Sequence, residues 1–318
     1  MTDDRMTLTA RGPEDVLAMV PVVLGFVPDD SLVMLTFGAA QAFHARVDLP
    51  PDARALREVV DALLDPAVRH GVRRVLLVAY TADLRLAERV TARVRDAFGR
   101  RRIEVIGRLA ADGRRWWPLP REAGAAGTPY DVSAHRFAAE AVLRGLVTHG
   151  SRTDLSATVA AVPEDVADVA RSLGDLASGA QPAAEAGWAA ATVRRCVHDG
   201  TMLPSGDTAR LLTGLRDLTV RDAAWTTLTR VDAVRHVAFW TDVVRRSPTT
   251  HVAAPAALLG FAAWVSGQGA LAWCAVDRCR EGDPDYRLAD LLAASLAGAL
   301  PPSAWEAVRA GSDPGLPA

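Results

Sequence analysis

Apolar positions recur along this chain at two periods, and the change between them divides it. Val16, Val20, Val23 and Leu24 repeat at helical spacing behind Pro13-Glu14-Asp15, a proline-first and acidic first turn, so a helix is predicted from Pro13 to about Leu24. Gly25 follows at once, the residue that best tolerates the positive φ of a helix stop. Pro28 cannot continue a helix, and Asp29, Asp30 and Ser31 can bond the amides of their own turn, so a strand is expected from about Leu32 to Phe37. Phe26, between two apolar elements, is expected to be a buried plug.

Leu8 and Thr9 are predicted to form a short edge strand before the first helix. A turn is predicted at 38–41 and an antiparallel partner strand at 43–49, with Phe43, Ala45 and Val47 on one side and His44, Arg46 and Asp48 on the other. Helices are predicted at 52–70 and 84–98, and strands at 75–80, 103–109 and 114–119. A Gly- and Pro-rich loop covers 120–129 and a helix 133–146. After Gly150 only the helical period persists, in segments broken by Pro163, Gly174, 179–182, Gly200, Pro204, Pro248 and Pro284. The predicted fold is an α/β domain (a mixed sheet with packed helices) at 1–150, followed by an all-α helical domain at 151–318. Within the latter, expected to be an irregular helical bundle in the main, Leu259-Gly260, Gly267, Ala272 and Pro284 stand at tetratricopeptide spacing, with Ala256 and Ala263 where that motif favours Trp and Tyr. The stretch near 253–286 is therefore expected to be partly tetratricopeptide-like.

The string Val20-Pro21-x-x-Leu24-Gly25-Phe26-x-Pro28-x-Asp30-Ser31-Leu32-Val33 resembles an uncharacterised actinobacterial family, domain-of-unknown-function family 4192. Two later stretches resemble it as well: Trp264-x-Ser266-Gly267-x-Gly269-Ala270-x-Ala272-Trp273-x-Ala275-Val276-Asp277 and Pro301-Pro302-Ser303-x-Trp305. The resemblance implies a bacterial cytoplasmic protein of two parts. It supplies no activity and no catalytic residue.

Composition narrows the functional classes. Every one of the 36 basic residues is arginine, a sign of GC-rich coding, and the net charge of −2 argues against an electrostatic nucleic-acid binder. An odd number of cysteines, Cys196, Cys274 and Cys279, with no C-x-x-C pair and a polar, acidic start, leads to the expectation of reduced thiols in a cytoplasm. The longest apolar run, 252–265, is shorter than the ~20 residues of a bilayer span and is interrupted by Pro255 and Gly260, so no membrane association is expected.

The candidate ligand-binding residues are Asp30, Ser31, Arg46, Tyr80, Asp83 and Arg152. Asp30 and Ser31 stand at a strand entrance, with Arg46 or Asp48 as the nearest partner on the neighbouring strand. Tyr80 and Asp83 lie at the end of the most apolar strand, where open α/β sheets bind ligands. Arg152 stands at the domain junction. Each has a structural alternative: a turn that caps itself, a helix cap, a junction ion pair. Cys196-x-His198-Asp199 is the nearest approach to a nucleophile set, and the seven histidines show no metal spacing. Two functions follow as expectations: a non-catalytic protein that binds a protein partner through its helical half, and an enzyme or small-ligand binder with a site between the Asp29–Ser31 turn, the end of the 75–80 strand and the domain junction. No cofactor or metal is assigned.

Overall fold

The computed structural model describes residues 8–39, 43–143, 146–176 and 182–309. Parts of the expected turn at 38–41, of the expected helix at 133–146 and of the break at 179–182 lie outside these residues. The chain divides into two compact units, Met1–Arg152 with Ala297–Ala299 and Thr153–Leu296 with Leu300–Ala318.

In the first unit, α1 (Pro13–Leu24) ends where Gly25 takes φ 79° and returns its N–H to the Pro21 carbonyl, the left-handed cap expected of glycine. β1 (Ser31–Phe37) and β2 (His44–Asp48) are followed by α2 (Ala53–Arg69). Asp52 caps α2: its Oδ1 accepts the N–H groups of Arg54 and Ala55, each at 2.8 Å. Then come β3 (Arg74–Tyr80), α3 (Leu84–Arg100), β4 (Glu104–Ala111), β5 (Arg115–Pro118), β6 (Thr128–Pro129) and α4 (Arg136–Leu143). Among the described residues, Leu8 and Thr9 form no strand. The expected edge strand is therefore wrong; two apolar-leaning residues are too few to fix a ladder without a partner.

The six strands form one mixed sheet in the order β2-β1-β3-β4-β5-β6. β3 and β4 run parallel and every other neighbouring pair antiparallel. Strand alternation sorts the side chains into two layers. Leu32, Met34, Val75, Leu77 and Ala79 pack with Leu63 of α2 and Val90, Val94 and Phe98 of α3. Val33, Leu35, Val78 and Tyr80 pack with α1 and with Phe137 and Ala141 of α4. Burying each larger apolar side chain contributes about 1.5–3 kcal/mol relative to exposure.

Two local features depart from simple alternation. Val75 pairs with Val105 but Leu76 pairs with Gly107, so Ile106 is an extra residue in β4. A bulge of this kind reverses which side the following residues face: Val105 packs on the α3 layer, and beyond the bulge so does Ala110, at an odd spacing that unbroken alternation from Val105 does not allow. The second feature is the loop at 120–129, which contains β6 and is fastened to β5. Trp117 Nε1 donates to the Ala125 carbonyl at 3.1 Å, and Arg115 Nη1 donates to the Ala126 and Gly127 carbonyls at 3.1 and 2.9 Å. Gly127 has φ 74° and lies on the Trp117 indole.

From Arg152 onward the described elements are helices: α5 (Arg152–Ala157), α6 (Pro163–Gly174), α7 (Pro182–Asp199), α8 (Ser205–Gly214), α9 (Leu218–Trp225), α10 (Ala233–Arg246), a 3-10 turn at Thr249–His251, α11 (Ala253–Val265), α12 (Gly269–Gly282), α13 (Arg287–Ala297) and α14 (Ser303–Arg309). α11 is apolar on all sides and buried from Ala254 to Val265, which fits a central helix. Gly260 lets α12 approach closely, since a Cβ there would stand 3.3 Å from both the Ala272 carbonyl and the Ala275 Cβ. Two positions with tetratricopeptide spacing, Gly260 and Ala272, thus meet at the α11–α12 crossing.

Candidate functional site

Register brings part of the predicted set together. Ser31 pairs with Asp48 on β2 and with Tyr80 on β3, Tyr80 pairs with Ala111 on β4, and Ala111 with Trp116 on β5. This is one row across the edge of the sheet where β1 begins and β3 and β4 end. Directly paired residues share a face, and Tyr80 and Ala111 belong to the α1 and α4 layer, so Ser31 and Asp48 lie on that face too. Arg46, the partner of Val33, is two positions along β2 from Asp48 on the same face. Asp30 precedes the row, Asp83 lies three residues beyond Tyr80, and Arg152 is the first residue of α5, three positions after His149.

The polar groups at this edge are engaged with one another. Arg46 Nε donates to Ser31 Oγ at 2.8 Å, and Arg46 Nη2 stands 2.7 Å from Asp48 Oδ1. Ser31 Oγ donates in turn to the Asp29 carbonyl. The Asp30 N–H donates to Asp29 Oδ1 at 3.0 Å, and the Asp30 carbonyl accepts the Leu49 N–H at 3.0 Å. Of the two partners expected on β2, Arg46 thus serves Ser31 and Asp48. Its reach is set by register, because a residue opposite Val33 lies nearer Ser31 than the turn beyond it. Asp83 caps α3, accepting the Leu86 N–H at 3.0 Å while its own N–H donates to Thr81 Oγ1 at 3.1 Å.

A nucleophilic serine needs a general base within hydrogen-bond reach. Ser31 instead receives a hydrogen bond from a guanidinium and gives its proton to a backbone carbonyl, so this edge can hold and orient a group but has no means of activating Ser31. Tyr80 differs from its neighbours. Its phenol is buried, makes no hydrogen bond among the described residues, and is held well above the usual tyrosine range, first by burial and second by the phenol of Tyr130. It is a neutral donor at any working pH. Burial also pushes the His44 imidazole down to about 4; its Nδ1 accepts the Thr36 N–H at 3.4 Å.

Neither of two concave surfaces in the first unit is lined by these residues. One, of about 380 Å³, is bordered by Ala138, Val142, Leu146 and Val147; the other, of about 160 Å³, by Pro50, Asp52, Leu86 and Arg89. In α7, Cys196 is buried while His198 is exposed and bonded to Asp199 at 2.8 Å, so these residues form no nucleophile arrangement. Among the described residues no group of three or more His, Cys, Asp or Glu side chains could hold a metal ion. No helix among them is long and apolar enough to cross a membrane.

Asp30 carries the one strained backbone conformation at the edge, φ 41°. A left-handed conformation costs an ordinary residue about 1–2 kcal/mol and glycine almost nothing. Asp30→Gly is therefore expected to leave thermal stability unchanged or to raise it slightly, and Asp30→Ala to lower it by up to about 1 kcal/mol. Melting curves of the two variants check the ordering; a larger loss in Asp30→Gly than in Asp30→Ala would show that the left-handed backbone is not what strains the turn.

Two features gave little or no local signal. Phe26 forms a parallel bridge with His149, with the Val27 N–H on the His149 carbonyl at 2.9 Å and the His149 N–H on the Gly25 carbonyl at 2.8 Å. Arg108 is a buried arginine inside β4; unbroken alternation from Val105 would put it on the opposite face with Glu104, so its burial follows from the bulge at Ile106 and carries no local signal.

Fold and edge together define an α/β unit whose sheet edge carries a bonded Arg46–Ser31–Asp48 group beside the unpartnered Tyr80 phenol, followed in the chain by a helical unit. The chain belongs to the family described as Domain of unknown function (DUF4192), whose model matches residues 13–303. No curated protein and no solved structure matches it. The residues that resemble the family have structural work in this chain. Gly25 and Phe26 form the left-handed stop and the bridge to His149. Trp264 Nε1 donates to the Leu300 carbonyl at 3.0 Å, and Trp305 stacks on Trp225 at 5.0 Å and meets the edge of Phe261 at 4.8 Å.

Proposed function

We propose that the protein is a non-catalytic binding protein that engages a protein partner through its helical unit. The observation that carries this reading is the exposure of large apolar side chains there. Val231 in the turn before α10 and Val234 in its first turn are 83% and 60% exposed, and Leu218 at the head of α9 is 63% exposed. Val231 and Val234 are close in sequence, and neighbouring exposed apolar side chains mark interaction surfaces. The saturated hydrogen bonding of Ser31 and Arg46 supports the same reading, because those groups are held in place rather than poised for chemistry. Three free, buried cysteines and the family resemblance support a cytoplasmic, actinobacterial setting as part of it.

The test is photo-crosslinking from position 234 in the native cytoplasm, beside capture with wild type and a Val231→Asp, Val234→Asp variant. A discrete crosslinked partner that the double variant no longer captures, with unchanged melting, is the expected result; equal capture by both would overturn the proposal. A second reading, a small-ligand binder at the sheet edge, is favoured by the unpartnered Tyr80 phenol in the row with Ser31. A metabolite that raises the melting temperature of wild type but not of Arg46→Gln would establish it.

A further inference from the structure

Arg108 lies on the α3 side of the sheet, opposite Leu77 of β3, because the extra residue Ile106 turns it inward. It is only 8% exposed. Among the described residues its guanidinium makes one long hydrogen bond, Nη1 to Thr91 Oγ1 at 3.5 Å, and no ion pair. Thr91 Oγ1 itself donates to the Ala87 carbonyl at 2.7 Å, so it meets Arg108 as an acceptor. Burial lowers the pKa of Arg108, and Arg95 acts in the same direction, while Asp96 and Glu88 oppose them.

A second arginine is held against the same helix, one turn earlier, at Glu88. Arg121, just beyond β5, donates its backbone N–H to Glu88 Oε1 at 3.1 Å. Its Nε is buried without a hydrogen-bond partner, 3.9 Å from the same oxygen. Glu88, Thr91 and Arg95 follow one another at helical spacing and form a single stripe along α3. Arg95 is engaged by Asp96, with Nη2 at 2.8 Å and Nε at 3.1 Å. Three arginines (95, 108, 121) against two carboxylates (Glu88, Asp96) leave one positive charge uncompensated.

A buried guanidinium with neither counter-charge nor a full set of acceptors is costly. Its planar array of donors matches the oxygens of a phosphate or carboxylate, which can accept from two guanidinium groups together. The bulge points the same way, since bulges re-aim side chains at sites of use. We propose that Arg108, beside Thr91, and Arg121, beside Glu88 one turn earlier on α3, bind an oxyanion, the phosphate or carboxylate group of a small molecule. The ligand would approach from the side of Arg121, whose side chain is 28% exposed.

Thermal melting and titration calorimetry of the full chain, at ionic strength held constant with sodium chloride, decide the matter. The probes are inorganic phosphate and acetate. The proteins are wild type, Arg108→Gln, Arg121→Gln and, as a control on the exposed surface of α2, Arg54→Gln. Wild type and Arg54→Gln are expected to bind phosphate and gain several degrees, and both site variants to lose most of that gain. If Arg108→Gln does not fold, Arg121→Gln carries the test. A larger response to phosphate than to acetate identifies a phosphate-bearing ligand, the reverse a carboxylate; either supports the site. No binding beyond the chloride control, or a gain retained in the site variants, overturns it.

Discussion

Replacing Phe26 by alanine is expected to lower the stability of the first unit by about 3–5 kcal/mol. The side chain is buried and follows directly on the left-handed stop at Gly25. Its truncation leaves a void in a segment that cannot readily relax, because the backbone on either side is committed. The Gly25 carbonyl and the Val27 N–H are both hydrogen-bonded to His149. Truncation therefore removes the transfer energy of an aromatic ring and adds the cost of a cavity between fixed walls. With two compact units in one chain, a single melting temperature does not isolate this effect. Hydrogen exchange at the amides of Val33 and Val78, in the centre of the first sheet, does. Their protection should fall by the equivalent of the stated range while amides in α11 and α12 keep theirs. A loss below about 1 kcal/mol would mean that the ring is not part of the core.

The second large effect is expected at Gly127. A Cβ placed there would stand 2.3 Å from Cε2 of Trp117, and the residue has φ 74°, so alanine meets both a steric and a conformational barrier. The left-handed conformation costs about 1–2 kcal/mol and overpacking against a ring typically a further ~1–3 kcal/mol, giving about 2–5 kcal/mol together. The indole has little room to yield, since Trp117 is buried in the α3 layer and its Nε1 is tied to the Ala125 carbonyl. Gly127→Ala should therefore lower the denaturant midpoint of the first unit and shift the Trp117 fluorescence toward that of an exposed indole. Gly124 provides the comparison, because it too has positive φ but a Cβ added there would meet nothing within 4 Å: Gly124→Ala should show the conformational cost alone.

What could be read from the residues, and what could not, divides along the range of the interaction. α1 was legible to its last residue because its signals are local: proline and acids at the start, spaced valines within, glycine at the end. The starts of α2 and α3 were legible for the same reason, each being preceded by an aspartate that caps it, while their ends fall one and two residues from the expected 70 and 98. β6 was missed because Thr128 and Pro129 carry no alternation of their own and are strand-like only through their pairing with Arg115 and Trp116. The bulge at Ile106 was illegible for a related reason, since an extra residue inside an apolar run leaves the composition of that run unchanged. At the edge, hydrophobic alternation correctly put Arg46 and Asp48 on one side of β2, and the predicted hairpin brought them near the Asp29–Ser31 turn. Which acceptor Arg46 would choose depended on exact register, and that placed Ser31 and Asp48 within its reach.

The pairing of Gly25 and Val27 with His149 bears on how the protein is made. The turn at Gly25–Val27 acquires its hydrogen-bonded neighbour only after more than a hundred further residues have been joined to the chain. A nascent chain holding α1, β1 and even the whole of β3 still presents the Gly25 carbonyl and the Val27 N–H unpaired at the ribosome. Contacts of such separation are slow to close and leave intermediates exposed while they wait. Truncated chains ending before residue 149 should accordingly be held by chaperones, and release should come as the segment after α4 emerges and docks beside Phe26.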